Sequence, residues 1–182
     1  LNIPCVVDLY DNFESFKLTR IPGILPLFKR AVSEAARVVC VSSNLQNYVE
    51  QVYHPKGQII TISNGISSKL FHPMDRLKCR RQLCLPEDAR LIGTAGSLGP
   101  SRGIDVLFDG YRELAAMDSS IHLVMAGSVE NGTSLPEEEK IHYLGNLEYQ
   151  NVHVLLNALD VGVICNLDTS FGRFCFPQKA YE

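Results

Sequence analysis

The sequence lacks several features that mark broad classes of protein. No apolar run reaches the roughly 18 residues that a membrane-spanning helix needs. Basic and acidic residues nearly balance, 17 against 20, so the formal net charge of −3 creates no general attraction for nucleic acid. The chain also has no short-period repeat and no low-complexity tract. With 46% hydrophobic and 20% charged residues, the composition is that of an ordinary globular protein.

The six cysteines do not have the spacing of a zinc site. Cys79 and Cys84 have neither a nearby histidine nor a second cysteine pair at the required distance along the chain. Cys5, Cys40 and Cys165 lie in apolar runs, where a thiol acts as a small hydrophobic side chain. We therefore expect reduced thiols, no bound metal and a cytoplasmic protein.

Apolar runs alternate with helical patterns along the whole chain. Strands are predicted at residues 3–10, 37–42, 58–63, 90–95, 121–126, 141–144 and 161–165, with helical spacing of apolar residues between them. Such alternation predicts parallel sheets joined by right-handed crossovers, and hence an α/β fold. The pattern stops at a turn signal, Asn64-Gly65, and restarts after a polar stretch at 67–88. Two parallel-sheet units with a hinge near 64–66 are expected.

A glycine-rich loop follows the strand at 90–95. In parallel sheets of this type, ligands bind beyond the carboxyl ends of the strands. Gly96 and its neighbours let the backbone approach a ligand, the next helix presents its N-terminus to an anion, and Arg102 adds a cation. A tight turn with a solvated arginine explains the loop equally well. The glycine spacing is neither that of a dinucleotide fingerprint nor that of a P-loop.

A second loop, at 166–178, leads into a helix that Pro177 is expected to begin. Lys179 and Glu182 are three residues apart and share a face of that helix. Glu182 can accept two ribose hydroxyls, as carboxylates do in other nucleotide sites, and Lys179 can oppose a phosphate. The alternative is an exposed ion pair between these two side chains, which would contribute little.

Polar residues also follow the first strand and the strand at 141–144. Tyr10 and Asp11 end the first strand, where an interdomain cleft would face them, although turn chemistry also explains Asp11-Asn12. Asn146 and Leu147 lie in a short turn after the later strand.

Taken together, these segments resemble glycosyltransferase family 4, whose retaining enzymes have the GT-B fold. The segments that carry the resemblance are ARVVCVSSNLQNYV, ISNGISSKLFHP, GTAGSLGPSRGIDVLFDGYREL, IHYLGNLEYQNVHVLLNALDVGVI and FGRFCFPQKAYE. Each is weakly specific alone, but their order and spacing together are specific to the family.

The resemblance implies a GT-B-like protein with two Rossmann-like units, both incomplete in this sequence. Residues 1–64 correspond to the end of the acceptor-side domain, and 65–182 to most of the donor-binding domain. The implied activity is transfer of a sugar, with retention of configuration, from a nucleoside diphosphate sugar to a glycan, lipid or small-molecule acceptor in polysaccharide biosynthesis. No metal or other cofactor is implied, and peripheral association with the inner face of a membrane stays open. We expect the isolated chain to be inactive.

The family pattern assigns roles to individual residues and also shows departures. Ser97 stands where the family has a diphosphate-binding arginine, Arg102 replaces a lysine, and Phe174 replaces the first glutamate of the family's E-x7-E pattern. Tyr10-Asp11 occupies the place of a His-Asp pair. The donor phosphates are assigned to Gly96, Ser97, Arg102 and Lys179, the ribose to Glu182, and the base or sugar to Asn146, Leu147, Phe174, Cys175 and Phe176.

Two alternatives remain at this stage. A non-catalytic nucleotide-binding protein could keep the fold after losing sugar chemistry, as Phe174 and Ser97 would allow. A nucleotide-sugar epimerase on the same fold is the other.

Overall fold

The computed structural model describes residues 3–182, in which strands and helices alternate in two compact units. The first unit extends to Gly65 and also includes Asp168–Pro177, and the second comprises Ile66–Leu167 and Gln178–Glu182. The boundary between Gly65 and Ile66 falls inside the segment in which the sequence predicts a hinge.

The first unit contains a three-stranded parallel sheet in the order β1-β2-β3. Its elements are β1 (Val6–Leu9), α1 (Ile24–Glu34), β2 (Arg37–Cys40), α2 (Ser43–Tyr53) and β3 (Gln58–Thr61). The strands are shorter than the apolar runs that predict them, and the helices supply fully buried residues such as Val32 and Val49 to the core. Cys40 is part of this core, as expected, and burial raises the pKa of its thiol to about 11, helped by the charges of Glu50 and Asp8.

Helix α2 is capped by Ser42, the residue before its first helical position. Ser42 has extended backbone angles, φ −141° and ψ 155°, and its hydroxyl oxygen accepts a hydrogen bond from the Leu45 amide at 3.2 Å. Ser43 already has helical geometry, and a capping residue must lie outside the helix to reach the free amides.

Residues 168–177 pack in the first unit, although the sequence analysis assigns them to the second domain. The Asn12 amide donates to the Ser170 carbonyl at 3.0 Å, and the Ser42 hydroxyl donates to the Phe174 carbonyl at 2.8 Å. The Phe174 side chain is buried, and the centroid of its ring lies 4.8 Å from that of the Tyr48 ring. Burying this aromatic side chain holds the segment against the first core.

The second unit contains a four-stranded parallel sheet in the order β6-β5-β4-β7. Its elements are α3 (Arg76–Gln82), β4 (Arg90–Ala95), α4 (Ile104–Met117), β5 (Ile121–Ala126), β6 (Ile141–Tyr143), α5 (Tyr149–Ala158) and β7 (Val161–Gly162). One face of the sheet packs on α3 and α5, with Leu91 and Leu155 fully buried, and the other packs on α4, with Leu123 and Met125 fully buried.

Three elements of this unit differ from the prediction. Helix α3 lies in the stretch expected to be a polar loop, where Asp75 caps it by accepting from the Lys78 amide at 2.8 Å. Strand β7 pairs over two residues instead of five. Where a helix is expected after Pro177, the structure has a single 3-10 turn, Gln178–Ala180, in which the Tyr181 amide donates to the Gln178 carbonyl at 2.9 Å.

A buried arginine joins α3 to the sheet of the second unit. Arg80 is 2% exposed, and its guanidinium donates to the Asp160 carboxylate at 2.7 Å and to the carbonyls of Ala158, Glu87 and Ala89. Asp160 in turn accepts from the Leu91 amide at 2.7 Å. Burial alone would raise the pKa of Asp160, but the Leu91 amide and the Arg80 charge outweigh it, so that the pKa lies below its usual value.

Replacing Arg80 should therefore destabilise the second unit. Arg80→Met removes the buried guanidinium and leaves Asp160 only its exposed partner Arg76 and the Leu91 amide, which should cost about 3 kcal/mol of unfolding free energy. The neighbouring Arg81→Met is the matched control, because Arg81 makes an exposed ion pair with Glu87 and its loss should change stability little. Chemical denaturation of both variants measures the difference, and equal losses would contradict a structural role for Arg80.

Candidate functional site

The loops that follow β4, β5 and β6 meet at the carboxyl edge of the second sheet. The Gly96 amide donates to the Ala126 carbonyl at 2.8 Å, and the Gly127 amide donates to the Gly145 carbonyl at 2.8 Å. These bonds continue the ladder of hydrogen bonds past the ends of the strands. The three loops are therefore fixed relative to one another by their backbones.

Two glycines allow this close approach. Gly96 and Gly127 have φ angles of +128° and +133°, which side-chain-bearing residues rarely adopt. A Cβ atom on Gly127 would overlap the Gly96 carbonyl oxygen, and one on Gly96 would lie 2.5 Å from the Lys179 Nζ atom. Both positions favour glycine for their backbone angle, and Gly127 also needs it for space, because backbone atoms of Gly96 lie against it.

A cavity of about 260 Å³ opens between these loops. This volume is close to the lower end of the range for small-molecule sites. The site residues Gly96, Ser97, Asn146 and Leu147 line it, together with Ala95, Ala126, Gly127, Ser128 and Val152. Residues that the sequence analysis assigns to the donor phosphates and to the base or sugar thus share one cavity.

A smaller pocket of about 30 Å³ adjoins the glycine-rich loop. Ser97, Arg102 and Lys179 line it, with Asn166 and several apolar side chains. Helix α4 begins beside them after Gly103, and no side chain caps its N-terminus. Two cations and a helix N-terminus are a suitable arrangement for an anion.

Glu130 is a charged member of this loop region that the sequence analysis missed. Its carboxylate accepts from the Ser97 hydroxyl at 3.0 Å and from the Ser101 hydroxyl at 2.5 Å. The pKa of Glu130 lies below its usual value, and the hydrogen bond from the Ser101 hydroxyl is the main cause. The Ser97 hydroxyl, the Ser101 amide and the Arg102 charge also lower this pKa. Together they outweigh burial, which would raise it. The sequence gives no local signal for this contact, since Glu130 follows β5 and the serines follow β4.

Glu182 lies beside the start of α5. The Tyr149 hydroxyl donates to its carboxylate at 3.5 Å. Loss of hydration, followed by the Glu182 charge, raises the pKa of Tyr149. Glu182 and Lys179, which share a turn of chain, therefore contact different parts of the second unit: Glu182 meets α5, and Lys179 meets the glycine-rich loop.

The remaining candidates belong to the first unit. The Tyr10 side chain is exposed, and Asp11 is half-buried at the end of β1. Phe174 is buried in the first core and Phe176 packs against the same core, while the Cys175 thiol lies 3.4 Å from the Gly172 carbonyl. The structure does not place these residues in the same unit as the glycine-rich loop, and it gives Phe174 a packing role.

The same unit contains polar contacts that the sequence analysis did not predict. Glu14 accepts from the Tyr53 hydroxyl at 2.5 Å and from the Tyr48 hydroxyl at 2.9 Å. Asn12 is buried, and it accepts from the Glu14 amide, which supports the interpretation of residues 11–12 as turn residues. Cys5, expected in an apolar strand, precedes β1 and is exposed.

Residues 3–182 contain no helix that is both long and apolar enough to cross a membrane. Within the same residues, no three metal-ligating side chains come together.

The chain contains two Rossmann-like units with parallel sheets, and one of them has a cavity beyond its strand ends. These features place the chain in the α/β class with a GT-B-like fold. Sucrose-phosphate synthase from Thermosynechococcus elongatus superposes with a TM-score of 0.70 at 19% identity over 90% of this chain and 45% of that one. Anabaena HepE in complex with UDP and glucose gives 0.68 at 23% identity over 88% of this chain and 46% of that one.

Curated relatives of known activity are glycosyltransferases. D-inositol 3-phosphate glycosyltransferase of Stackebrandtia nassauensis is 28% identical over 59% of this chain and 26% of its own length. Lipopolysaccharide 1,2-N-acetylglucosaminetransferase of Salmonella typhimurium is 30% identical over 50% of this chain and 24% of its own. The chain thus matches about a quarter of the length of these relatives. No protein-family model matches it.

The close approach of the loops predicts a large effect for one glycine substitution. Gly127→Ala combines an unfavourable φ angle with a backbone overlap and should cost at least about 2 kcal/mol of unfolding free energy. Gly110→Ala is the control, because it lies in α4 with nothing within 4 Å of the added Cβ and should be neutral or stabilising. Thermal unfolding of both variants tests this, and a Gly127→Ala variant as stable as the parent would contradict the geometry.

Proposed function

We propose that this chain carries most of the donor-binding part of a glycosyltransferase, which moves a sugar from a nucleoside diphosphate sugar to an acceptor. The observation that supports the proposal most directly is the pair of adjoining spaces at the carboxyl edge of the second sheet. The larger one has the volume and neutral lining suited to a base or a sugar. The smaller one has the two cations suited to a diphosphate.

The residues of the second unit then have distinct roles in donor binding. Arg102 and Lys179 contact the diphosphate, and Gly96 leaves room for the Lys179 ammonium group. Asn146 and Leu147 line the base pocket, and Glu182 accepts hydrogen bonds from the ribose hydroxyls. The neighbouring structures of HepE with UDP and with UDP-glucose support a uridine nucleotide as the first probe.

Electrostatic stabilisation of the leaving group is the proposed contribution of this unit to catalysis. As the bond between the sugar and the diphosphate breaks, negative charge grows on the departing oxygen. The Arg102 guanidinium, the Lys179 ammonium group and the positive end of the α4 dipole would stabilise that charge, since Arg102 and Lys179 line the smaller pocket and α4 begins beside it. We propose that the transfer proceeds with retention of configuration, as in family 4, and needs no metal.

Phe174 favours a second candidate, a non-catalytic nucleotide-binding protein. It replaces a glutamate of the family pattern, and its side chain is buried in the first core. The acceptor is a glycan, a lipid or a small molecule in the first proposal, whereas the second needs none.

The decisive experiment incubates the full-length protein with a panel of nucleotide sugars, including UDP-glucose, and candidate acceptors. A transferase should release nucleoside diphosphate only when an acceptor is present and should yield a product with the donor's anomeric configuration, detectable by NMR. Tight nucleotide binding without any release would favour the non-catalytic protein, and interconversion of the sugar without transfer would favour an epimerase.

A binding experiment tests the phosphate pocket separately. UDP should bind more tightly than UMP, and Arg102→Gln should weaken UDP binding about tenfold or more while affecting UMP less, because one charged hydrogen-bonding group is lost at the diphosphate. Arg112→Gln removes the same charge on the exposed face of α4 and serves as control. Equal calorimetric affinities for UDP and UMP would contradict the assignment of Arg102.

A further inference from the structure

The glycine-rich loop already holds an anion that belongs to the protein itself. The Glu130 carboxylate accepts from the hydroxyls of Ser97 and Ser101. A Cβ atom on Gly99 would overlap this carboxylate, so the side chain lies directly against the loop backbone. Glu130 thus occupies hydrogen-bond donors in the segment that precedes α4.

The backbone holds Glu130 in this position. The Leu98 amide donates to the Ser128 carbonyl at 2.8 Å, and the Glu130 amide donates to the Leu98 carbonyl at 2.9 Å. Leu98 and Val129 form an isolated parallel bridge between these bonds. The register of this bridge therefore brings the Glu130 backbone beside the loop, where its side chain reaches Ser97 and Ser101.

The contact limits what the loop can offer to a ligand. A serine hydroxyl has one hydrogen to donate, and those of Ser97 and Ser101 both point to Glu130. A phosphate oxygen carries no hydrogen when ionised and needs donors. It also repels a carboxylate at short range.

We infer that Glu130 competes with the donor's diphosphate for the glycine-rich loop, and so sets how strongly this site distinguishes diphosphates from less charged ligands. The inference rests on the proposed function, because it concerns the same phosphate pocket. Ser97 lines that pocket and also donates to Glu130, so it links the Glu130 carboxylate to the phosphate pocket. Donor binding then either displaces the carboxylate or proceeds against its charge. In both cases, a substitution that removes the charge of Glu130 favours binding of the diphosphate.

The test measures the affinities of uridine, UMP and UDP for Glu130→Gln by calorimetry. This variant keeps the side-chain length and an acceptor oxygen but removes the charge. The dissociation constant for UDP should fall about fivefold, as expected for one charge removed at close range in a partly exposed site. The constant for UMP should fall less, and that for uridine should not change, which also shows that the cavity is intact.

Two further variants make the result specific. Glu130→Ala removes the carboxylate altogether and should tighten UDP binding as well, so that the test does not depend on the folding of one variant. Glu113→Gln removes the same charge on an exposed position of α4, about 13 Å along the helix from its start. It should leave all three affinities unchanged.

The outcomes separate this inference from the proposed function. If UDP binds the parent protein and neither Glu130 variant binds it more tightly, the competition is wrong while the donor site stands. An equal gain for uridine would also overturn the competition, since uridine has no phosphate. If UDP binds neither the parent nor any variant, both the inference and the donor site are wrong.

Discussion

The arrangement of the second unit depends on one ion pair, between Arg80 and Asp160. Asp160 lies in the turn between α5 and β7, and its carboxylate also accepts from the Leu91 amide in β4. The pair therefore fixes where β7 begins beside β4. Residues 163–166 continue from that strand to the smaller pocket, so a contact at one end of the sheet positions part of the site at the other.

The sequence predicts most of this fold because buried parallel strands are continuous apolar runs. Strands β4 and β5 begin and end at the predicted residues, since a turn or a polar residue interrupts the apolar run at each end. Helix α3 was missed because its seven residues include a buried arginine, which makes the apolar pattern weak. Its burial depends on Asp160, about eighty positions later in the chain, and no local pattern contains that information.

The candidate site likewise has a part that the sequence predicts and a part that depends on contacts between distant segments. The convergence of the loops that contain Gly96 and Asn146 follows from the rule that parallel strands end at one edge of a sheet, so it is predictable. The position of Glu130 is not, because it depends on the register between the segments after β4 and β5. The inclusion of Phe174 in the first core is also a long-range effect, since only folding shows that Tyr48 lies beside it.

The balance of charge around the glycine-rich loop has a consequence for the chemistry of the site. In the family 4 pattern that the sequence resembles, a cation stands at the position of Ser97, and Glu130 places a carboxylate against the same loop, so the charges of Arg102 and Lys179 are partly offset. A diphosphate in this pocket would meet less positive charge than the family pattern provides. Its binding would then depend more on the neutral cavity between the loops. That cavity depends on the backbone contact between Gly96 and Gly127, which ties the binding of a charged ligand to the packing of two residues that have no side chain.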